Sequence, residues 1–306
     1  MNFFNSDKNT TNQRINPFPD FEITIKREDQ IHPFVSGNKF RKLKYNIGHL
    51  SNTSQPLLSF GGAFSNHLAA LATAGKMLGL QTIGIVRGQE WQRKWPESTT
   101  LSHCIKEGMT LYAVSREAYR LKEKGLRVKA LQKQFPSLVC LPEGGTNTLA
   151  VKGCAEILQL KDQHYDVVCA AVGTGGTLAG LIESSFENQF ILGFMALQDA
   201  TLKKKVMRYT LKENWHLIKE YDFGGYAKVS PKLIRFINIF YQQYGIPLDP
   251  IYTGKMLFGI FDLIERRKWK WGKSILIIHS GGLQGIAGIN ARLKKKGEEQ
   301  ILYSAF

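Results

Sequence analysis

The sequence has few cysteines and no long apolar stretch. No apolar run reaches the roughly 18 residues that a membrane span needs, and the polar opening MNFFNSDKNTTNQRINPF does not have the apolar segment of a signal peptide. The cysteines are widely spaced and form no CxxC pair, which indicates neither a disulfide framework nor a zinc site; they are Cys104, Cys140, Cys154 and Cys169. We therefore expect reduced thiols, no metal, no membrane association and a cytoplasmic location.

Acidic residues are scarce relative to basic ones. The chain has 25 acidic and 41 basic residues, a formal net charge of +16, which is compatible with an anionic substrate or a nucleic acid. The basic residues recur in short clusters at 202–205, 265–270 and 291–297, mostly at predicted helix ends, where the helix dipole favours cations. No helix-turn-helix, finger or RNP-like motif accompanies them. We therefore favour a solvated basic surface over nucleic-acid binding.

The order of apolar segments predicts an α/β protein with open parallel sheets flanked by helices. Short apolar runs alternate with amphipathic stretches, no internal repeat interrupts them, and 306 residues suffice for one large domain or two smaller ones. The predicted strands are 56–60, 82–87, 109–114, 138–141, 166–172, 190–196 and 274–279. The predicted helices are 66–79, 116–134, 148–160, 177–185, 231–243, 253–267 and 283–295, with one more that begins near Lys39.

Four of the predicted strands end in glycine-rich turns. The turns read SFGGAFSNH, CLPEGGTN, AVGTGGT and IHSGGLQG. In open parallel sheets the loops at the carboxyl ends of strands line the ligand crevice. We therefore expect these four loops to converge on one site.

The third of these turns has the composition of a phosphate cradle. Its glycines let backbone N–H groups point inward, the following helix start adds partial positive charge, and threonine hydroxyls can donate to phosphate oxygens. The dinucleotide pattern GxGxxG fails at Leu178, and Arg267 stands where a Walker loop needs its first glycine. Two interpretations remain, a site for a phosphomonoester such as a cofactor's phosphate and a tight turn without a ligand. The residues concerned are Gly173, Thr174, Gly175, Gly176 and Thr177.

The first glycine turn ends in three polar residues at a predicted helix start, Ser65, Asn66 and His67. A serine or asparagine in this position can act simply as an N-cap, and His67 can be a structural hydrogen-bond donor. Three polar groups beside Gly61 and Gly62 also fit a surface that faces a ligand. Both interpretations stay open on these residues alone.

Lys39 and Lys42 lie in the first turn of a predicted amphipathic helix. The apolar stripe of this helix accounts for its buried face, so the other basic residues are expected to face solvent. Two lysines three residues apart are close enough for one cation to lower the pKa of the other, which can produce a neutral nucleophilic amine. An exposed basic helix start is the alternative. The stripe consists of Phe40, Leu43, Ile47 and Leu50.

Seven motifs, in order, resemble those of the pyridoxal phosphate enzymes that include 1-aminocyclopropane-1-carboxylate deaminase and D-cysteine desulfhydrase. They are KRED (26–29), SGNKFRKLKY (36–45), GAFSNHLAALA (62–72), PEGGTN (142–147), VGTGGTLAGL (172–181), DPIYTGK (249–255) and HSGGLQG (279–285). The resemblance implies the two-domain fold type II architecture of the tryptophan synthase β subunit, with a small domain at 52–148 and a large domain of 1–51 and 149–306. It also implies pyridoxal 5'-phosphate as cofactor, a small amino acid as substrate and a homodimer.

The resemblance further implies roles for single residues. Lys39 is similar to the lysine that carries the cofactor and acts in catalysis, and residues 173–177 are similar to the phosphate loop. Asn66 resembles the asparagine beside the cofactor's phenolic oxygen, and together with Ser65 and His67 it belongs to the substrate-facing loop, in which Ser65 is also catalytic. Tyr252 and Tyr226 resemble catalytic tyrosines of the substrate pocket. Around Tyr226, relatives have a GxGYG-like segment where this chain has GGYAK.

Thr253 and Ser280 favour one reaction within this family. The ring-opening deaminases resemble one another in having glutamate and leucine at these two places, whereas the desulfhydrases have small hydroxyl residues, as this chain does. A carboxylate near the cofactor's pyridine nitrogen would keep it protonated and deepen the electron sink, and a hydroxyl would leave the weaker sink that loss of a thiolate needs.

The expected reaction is therefore a D-cysteine desulfhydrase-like β-elimination that gives pyruvate, ammonia and sulfide. The alternative is 1-aminocyclopropane-1-carboxylate deamination to 2-oxobutanoate and ammonia. A phosphate-ligand or nucleic-acid-binding protein without catalysis is the remote alternative.

Overall fold

The computed structural model describes residues 2–5, 10–50 and 54–303, and these contain two β-sheets flanked by helices. The strands are β1 (Asn12–Ile15), β2 (Glu22–Lys26), β3 (Leu57–Gly61), β4 (Thr82–Arg87), β5 (Thr110–Val114), β6 (Val139–Cys140), β7 (Val167–Val172), β8 (Phe190–Met195), β9 (Trp215–Ile218) and β10 (Ser274–Ile278). The helices are α1 (Asn2–Asn5), α2 (Asn38–Gly48), α3 (Asn66–Leu78), α4 (Thr99–Lys106), α5 (Arg116–Arg120), α6 (Leu126–Gln134), α7 (Thr148–Ala155), α8 (Gly176–Ser184), α9 (Leu202–Val206), α10 (Pro231–Tyr244), α11 (Thr253–Glu265) and α12 (Gly285–Lys295). The predicted α/β class is confirmed.

The larger sheet has six strands in the order β1-β2-β10-β7-β8-β9. All its neighbours are parallel except β1, which pairs antiparallel with β2. The central strands β7 and β10 read VVCAAV and SILII, the continuous apolar runs expected of parallel strands covered on both faces. The sequence analysis did not predict β1, β2 and β9, which are short and include polar residues.

The smaller sheet is entirely parallel, with the strand order β5-β4-β3-β6. Its strands fall within residues 57–140, and every strand of the larger sheet lies outside that range. The predicted boundary between residues 51 and 52 lies outside the described residues. The division into two domains stays a prediction.

The apolar stripe of helix α2 packs against side chains of β3 and α3, which belong to the region of the smaller sheet. Phe40, Leu43 and Ile47 are buried in the same cluster as Leu57 and Leu68. The expectation that the remaining basic residues of α2 face solvent was wrong for Arg41 and Lys42, both of which are buried.

The Arg41 guanidinium is buried because it has a carboxylate partner. It donates to both Glu28 oxygens at 2.9 Å, through Nε to one and through Nη2 to the other. Bidentate pairing with hydrogen bonds is what makes a buried guanidinium tolerable.

Two predicted helices are shorter than the sequence pattern suggested. The predicted helix 116–134 is divided into α5 and α6, because Lys122 between them has a positive φ of 50° and Gly125 begins the second helix as its N-cap. Helix α7 ends at Ala155, five residues before its predicted end at residue 160.

Within the described residues, all four cysteines are free thiols, and Cys140 is the half-buried one among them. No group of three His, Cys, Asp or Glu residues in this part of the chain could hold a metal ion. None of the described helices combines the length and the hydropathy of a membrane span.

Candidate functional site

The four glycine turns converge, as the sequence analysis predicted. Thr146, after β6, and Thr174, after β7, have their hydroxyl oxygens 2.6 Å apart. The Asn66 amide, after β3, donates to the backbone carbonyl of Gly282, after β10, at 3.3 Å. Helix α2 begins at this meeting point, because the Asn38 N–H donates to the Ser280 carbonyl at 3.3 Å.

Lys39 is half-buried in the first turn of α2. Its Nζ donates to Asn38 Oδ1 at 2.8 Å, and the Asn38 amide donates in turn to Thr177 Oγ1 at 2.8 Å. Burial, with a smaller contribution from the nearby Lys42 cation, lowers the pKa of Lys39 to about 7. A substantial fraction of this amine is therefore neutral, and nucleophilic, near neutral pH.

Close backbone packing fixes the start of α2. Gly37 has a φ of 55°, and a Cβ on it would overlap the Ser280 carbonyl. Only glycine combines this left-handed conformation with the absence of a side chain. The turn after β10 and the Lys39 helix are thereby held in direct contact.

Lys42 lies between the glycine turn that follows β6 and the glycine turn that follows β7. It is buried, and its Nζ donates to the Gly144 carbonyl at 3.0 Å and to Thr146 Oγ1 at 2.9 Å, with Thr174 Oγ1 at 3.4 Å. From the sequence, Lys42 was expected to be a charge beside Lys39 or part of an exposed basic helix start. Its three-residue spacing from Lys39 on one helix face was the signal for this second position.

The 173–177 turn leads directly into α8. Gly175 has a φ of 90°, and a Cβ there would lie 3.0 Å from Val206. A Cβ on Gly176 would lie 2.8 Å from the Thr146 side chain. The turn therefore presents bare backbone at a helix N-terminus beside a lysine cation, an arrangement suited to an anion.

The SNH residues of the first turn differ in their surroundings. Ser65 is the N-cap of α3, and its Oγ accepts from the Leu68 N–H at 3.3 Å. The structure thus supports the N-cap interpretation, although the hydroxyl proton stays available to a ligand. Asn66 Oδ1 is buried and has no hydrogen-bond partner among the described residues.

His67 is buried behind the site. Its Nε2 lies 2.9 Å from Ser59 Oγ, which donates to the Leu141 carbonyl at 3.0 Å, so we assign the proton to Nε2. Burial, followed by the Lys39 and Lys42 cations, lowers the pKa of His67 to about 3. The ring is therefore neutral, as a structural hydrogen-bond donor is.

Two tyrosines lie together beside the glycine turn. A Cβ on Gly173 would lie 3.2 Å from the Tyr252 ring, and the ring centroids of Tyr252 and Tyr226 are 6.2 Å apart. Tyr226 is 44% exposed, and Tyr252 is half-buried. Burial raises the pKa of Tyr252, so its hydroxyl is protonated at neutral pH.

Asp249 holds the start of α11, and the sequence analysis did not assign it a role. Its carboxylate accepts from the N–H groups of Ile251, Tyr252 and Thr253 at 2.8 to 2.9 Å and from Thr253 Oγ1 at 2.7 Å. An aspartate shortly before a helix start is the signal for such a cap. The Thr253 hydroxyl is thus engaged with Asp249, whereas Ser280 lies in the turn that contacts α2.

Comparison with known proteins gives a consistent result. The family model described as pyridoxal-phosphate dependent enzyme matches residues 8–190. A Pyrococcus horikoshii protein with the provisional name 1-aminocyclopropane-1-carboxylate deaminase is 30% identical over 289 residues, which cover 86% of this chain and 85% of the relative.

Two further similarities cover most of the chain. The mitochondrial bifunctional D-cysteine desulfhydrase/1-aminocyclopropane-1-carboxylate deaminase of Arabidopsis thaliana is 27% identical over 311 residues, 87% of this chain and 73% of that protein. A solved structure of an ACC deaminase homologue aligns with a TM-score of 0.81 at 25% identity, covering 94% of this chain and 93% of the other.

Proposed function

Since the chain belongs to the family of pyridoxal-phosphate dependent enzymes, we propose that it catalyses β-elimination from a cysteine-like amino acid, with D-cysteine as the first choice. The products are pyruvate, ammonia and sulfide. The observation that carries the catalytic part of the proposal is the Lys39 amine, half-buried with a lowered pKa where four glycine turns meet.

The residues around Lys39 fit the cofactor. The bare turn at Gly175 and Gly176 together with the Lys42 cation suits its phosphate. The Asn66 side-chain NH2, which donates one hydrogen bond to the Gly282 carbonyl, has a second N–H that suits the ring oxygen. When bound, pyridoxal phosphate supplies the electron sink for the bond that breaks at the substrate's Cα. Lys39 would hold the cofactor, and its Nζ would be the group that accepts the Cα proton of the substrate.

The remaining polar groups hold the substrate. Ser65 Oγ accepts from Leu68 N–H and keeps its own proton for a carboxylate oxygen. The Tyr252 hydroxyl, which stays protonated because burial raises its pKa, can donate to the leaving group, and Tyr226 closes the same side at the opening. His67 supports the loop from behind through Ser59.

The choice of reaction rests on positions 253 and 280. Both are hydroxyl residues, and the nearby Asp249 carboxylate is satisfied by the helix start and by Thr253. Asp249 is thereby committed to its helix start, and hydroxyl residues at 253 and 280 would leave a pyridine nitrogen unprotonated. This weaker electron sink suits loss of a thiolate better than cleavage of an unactivated ring bond.

Deamination of 1-aminocyclopropane-1-carboxylate to 2-oxobutanoate and ammonia is the second candidate. The provisional name of the 30% identical relative favours it. A side-by-side assay of the cofactor-loaded protein distinguishes the two: sulfide and pyruvate from D-cysteine against 2-oxobutanoate from the cyclopropane substrate. We expect faster turnover of D-cysteine, and faster turnover of the cyclopropane substrate would reverse the assignment.

A Thr253→Glu variant sharpens this assay. The added carboxylate would favour ring opening relative to β-elimination if position 253 acts on the cofactor's nitrogen. An unchanged ratio of the two rates would contradict that role, and Ser280 would then be the position to vary.

The domain division at 52–148 and a homodimer are part of the same proposal. Light scattering on the purified protein measures the mass, for which one chain is 34.6 kDa. A mass of one chain would contradict the dimer.

A further inference from the structure

Lys255 is a buried cation that the proposed chemistry does not use. It lies in the first turn of α11, three residues after Tyr252, and is 2% exposed. Its Nζ donates to the backbone carbonyls of Asp222 at 2.7 Å and Gly225 at 2.8 Å, and it lies 3.5 Å from the carbonyl of Ala196. Burial lowers the pKa of Lys255 to about 8, while Asp222 and Asp249 oppose that shift.

The first two of these carbonyls belong to a turn with an unusual backbone. Positive φ angles occur at Phe223 (54°), Gly224 (86°), Gly225 (116°) and Ala227 (56°). Non-glycine residues rarely adopt this conformation, and they keep it only where the surroundings impose it. Within the turn itself, the Gly225 N–H donates to the Asp222 carbonyl at 3.1 Å.

The same turn carries Tyr226, whose ring lies beside that of Tyr252. Tyr252 is the residue that precedes α11, and Lys255 follows within the first turn of the helix. The start of α11 therefore lies next to both tyrosines: Tyr252 immediately precedes the helix, and the Lys255 ammonium group contacts the turn that carries Tyr226.

We propose that Lys255 is a positioning residue that holds the 222–227 turn by binding its carbonyls and thereby fixes Tyr226 against Tyr252 at the opening of the site. The inference rests on the proposed function in so far as Tyr226 contacts the substrate. It departs from a role in cofactor binding, since the Lys255 contacts are to the turn and to the end of β8.

The test compares Lys255→Met with Lys228→Met, the exposed lysine just after the turn. Loss of two charged hydrogen bonds should release the turn, so we expect KM for D-cysteine to rise by about tenfold or more, with kcat and cofactor absorbance changed by less than about twofold. Lys228→Met should behave as the unaltered protein does. Equal KM values for Lys255→Met and the unaltered protein would overturn the proposal.

Chemical rescue separates positioning from general stability. In Lys255→Ala, n-propylammonium chloride should bind the vacated carbonyls and lower KM towards the unaltered value, whereas sodium chloride of equal ionic strength should not. If Lys255→Met does not fold, the rescue of Lys255→Ala still tests whether Lys255 holds the 222–227 turn. A KM that responds equally to both salts would contradict the positioning role.

Limited chymotrypsin digestion gives a readout that needs no substrate. Cleavage after Phe223 or Tyr226 should be faster in the cofactor-loaded Lys255 variants than in Lys228→Met. If the unaltered protein acts on neither D-cysteine nor the cyclopropane substrate, the proposed function fails while this digestion still tests Lys255. Equal cleavage rates in all variants would overturn the inference about the turn.

Discussion

The Lys39 amine has a lowered pKa, so its reactivity towards the cofactor depends on pH near neutrality. The pKa falls from 10.5 to about 7, mainly because the amine is buried. A lysine with a lowered pKa is charged below that value and neutral above it. We predict that the rate at which the cofactor-free protein takes up pyridoxal phosphate rises with pH, with a midpoint near 7, and levels off above it.

The measurement follows the near-visible absorbance that develops on mixing. Pyridoxal without its phosphate serves as the control, because its uptake has no phosphate titration to distort the profile. Borohydride reduction and peptide mapping then identify the labelled lysine, which should be Lys39, and Lys39→Ala should not be labelled. Label on Lys42, or a midpoint near 10, would contradict the prediction.

The Glu28–Arg41 pair should contribute strongly to stability as long as both members are present. Glu28 is fully buried and accepts two Arg41 hydrogen bonds at 2.9 Å. In Glu28→Gln the buried guanidinium would lose its charged hydrogen-bond partner and keep the Glu156 carboxylate at 3.8 Å from Nη1. The free energy of unfolding should therefore fall by about 3 kcal/mol. Urea denaturation measures the change.

A matched control for this prediction is Glu97→Gln. Glu97 pairs with Lys94 at 3.7 Å, and both side chains are more than half exposed, so we expect a loss of less than about 1 kcal/mol. A similar decrease in the free energy of unfolding in Glu28→Gln and Glu97→Gln would show that the buried pair contributes no more to stability than an exposed pair does.

At the scale of elements, the junction between β7 and α8 should tolerate no side chain at position 175. Valine at Gly175 would combine a φ of 90° with a Cβ 3.0 Å from Val206 and 3.2 Å from Leu202. The strained backbone should cost about 1 to 3 kcal/mol, and the shifted turn should lose its close approach to phosphate. We predict a folded protein with much reduced cofactor occupancy, measured by absorbance and circular dichroism.

Gly245 provides the control glycine. It ends α10 with a φ of 64°, and a Cβ there would meet nothing within 4 Å. Gly245→Ala should lose about 1 kcal/mol of stability and keep full cofactor occupancy. Full occupancy in Gly175→Val as well would contradict the assignment of the phosphate turn.

The elements predicted best from the sequence are those in which burial alone determines the pattern of apolar residues. The seven predicted strands are all present, because a strand such as β7 is apolar throughout and is followed directly by glycine. The edge strand β9, WHLI, and the polar β1, NQRI, lacked such a pattern. These two strands are stabilised by pairing with a neighbouring strand of the larger sheet, and the local hydrophobic pattern gives no information about such pairing.

The candidate site was predictable to a similar degree. Glycine turns after apolar strands indicated where a ligand crevice forms, and the structure brings them together. The environment of each lysine was not predictable, since burial of Lys42 and Lys255 depends on carbonyls contributed by distant turns. The role of Asp249, in contrast, was readable from its position shortly before a predicted helix start, and it was missed.

At the scale of the whole molecule, the net charge of +16 should act against the folded state. Like charges held in a compact volume repel one another, and salt screens that repulsion between exposed groups. We predict that the Tm of the protein rises when sodium chloride is increased from about 0.02 M to about 0.5 M. Differential scanning fluorimetry at constant pH measures the Tm at each salt concentration. A Tm that falls with added salt would indicate that attraction between oppositely charged surface residues outweighs the repulsion.

The position of β10 between β2 and β7 has a consequence for biosynthesis. Residues 22–26 and 274–278 are direct neighbours in the larger sheet, so a chain emerging from the ribosome cannot complete this sheet before residue 278 has been synthesised. The smaller sheet, within residues 57–140, can assemble earlier from contiguous sequence. During that interval the start of α2 lacks the Ser280 carbonyl, which accepts from the Asn38 N–H in the complete fold. The surroundings of Lys39 are therefore complete only when β10 has joined the larger sheet and has brought the Ser280 turn to the start of α2.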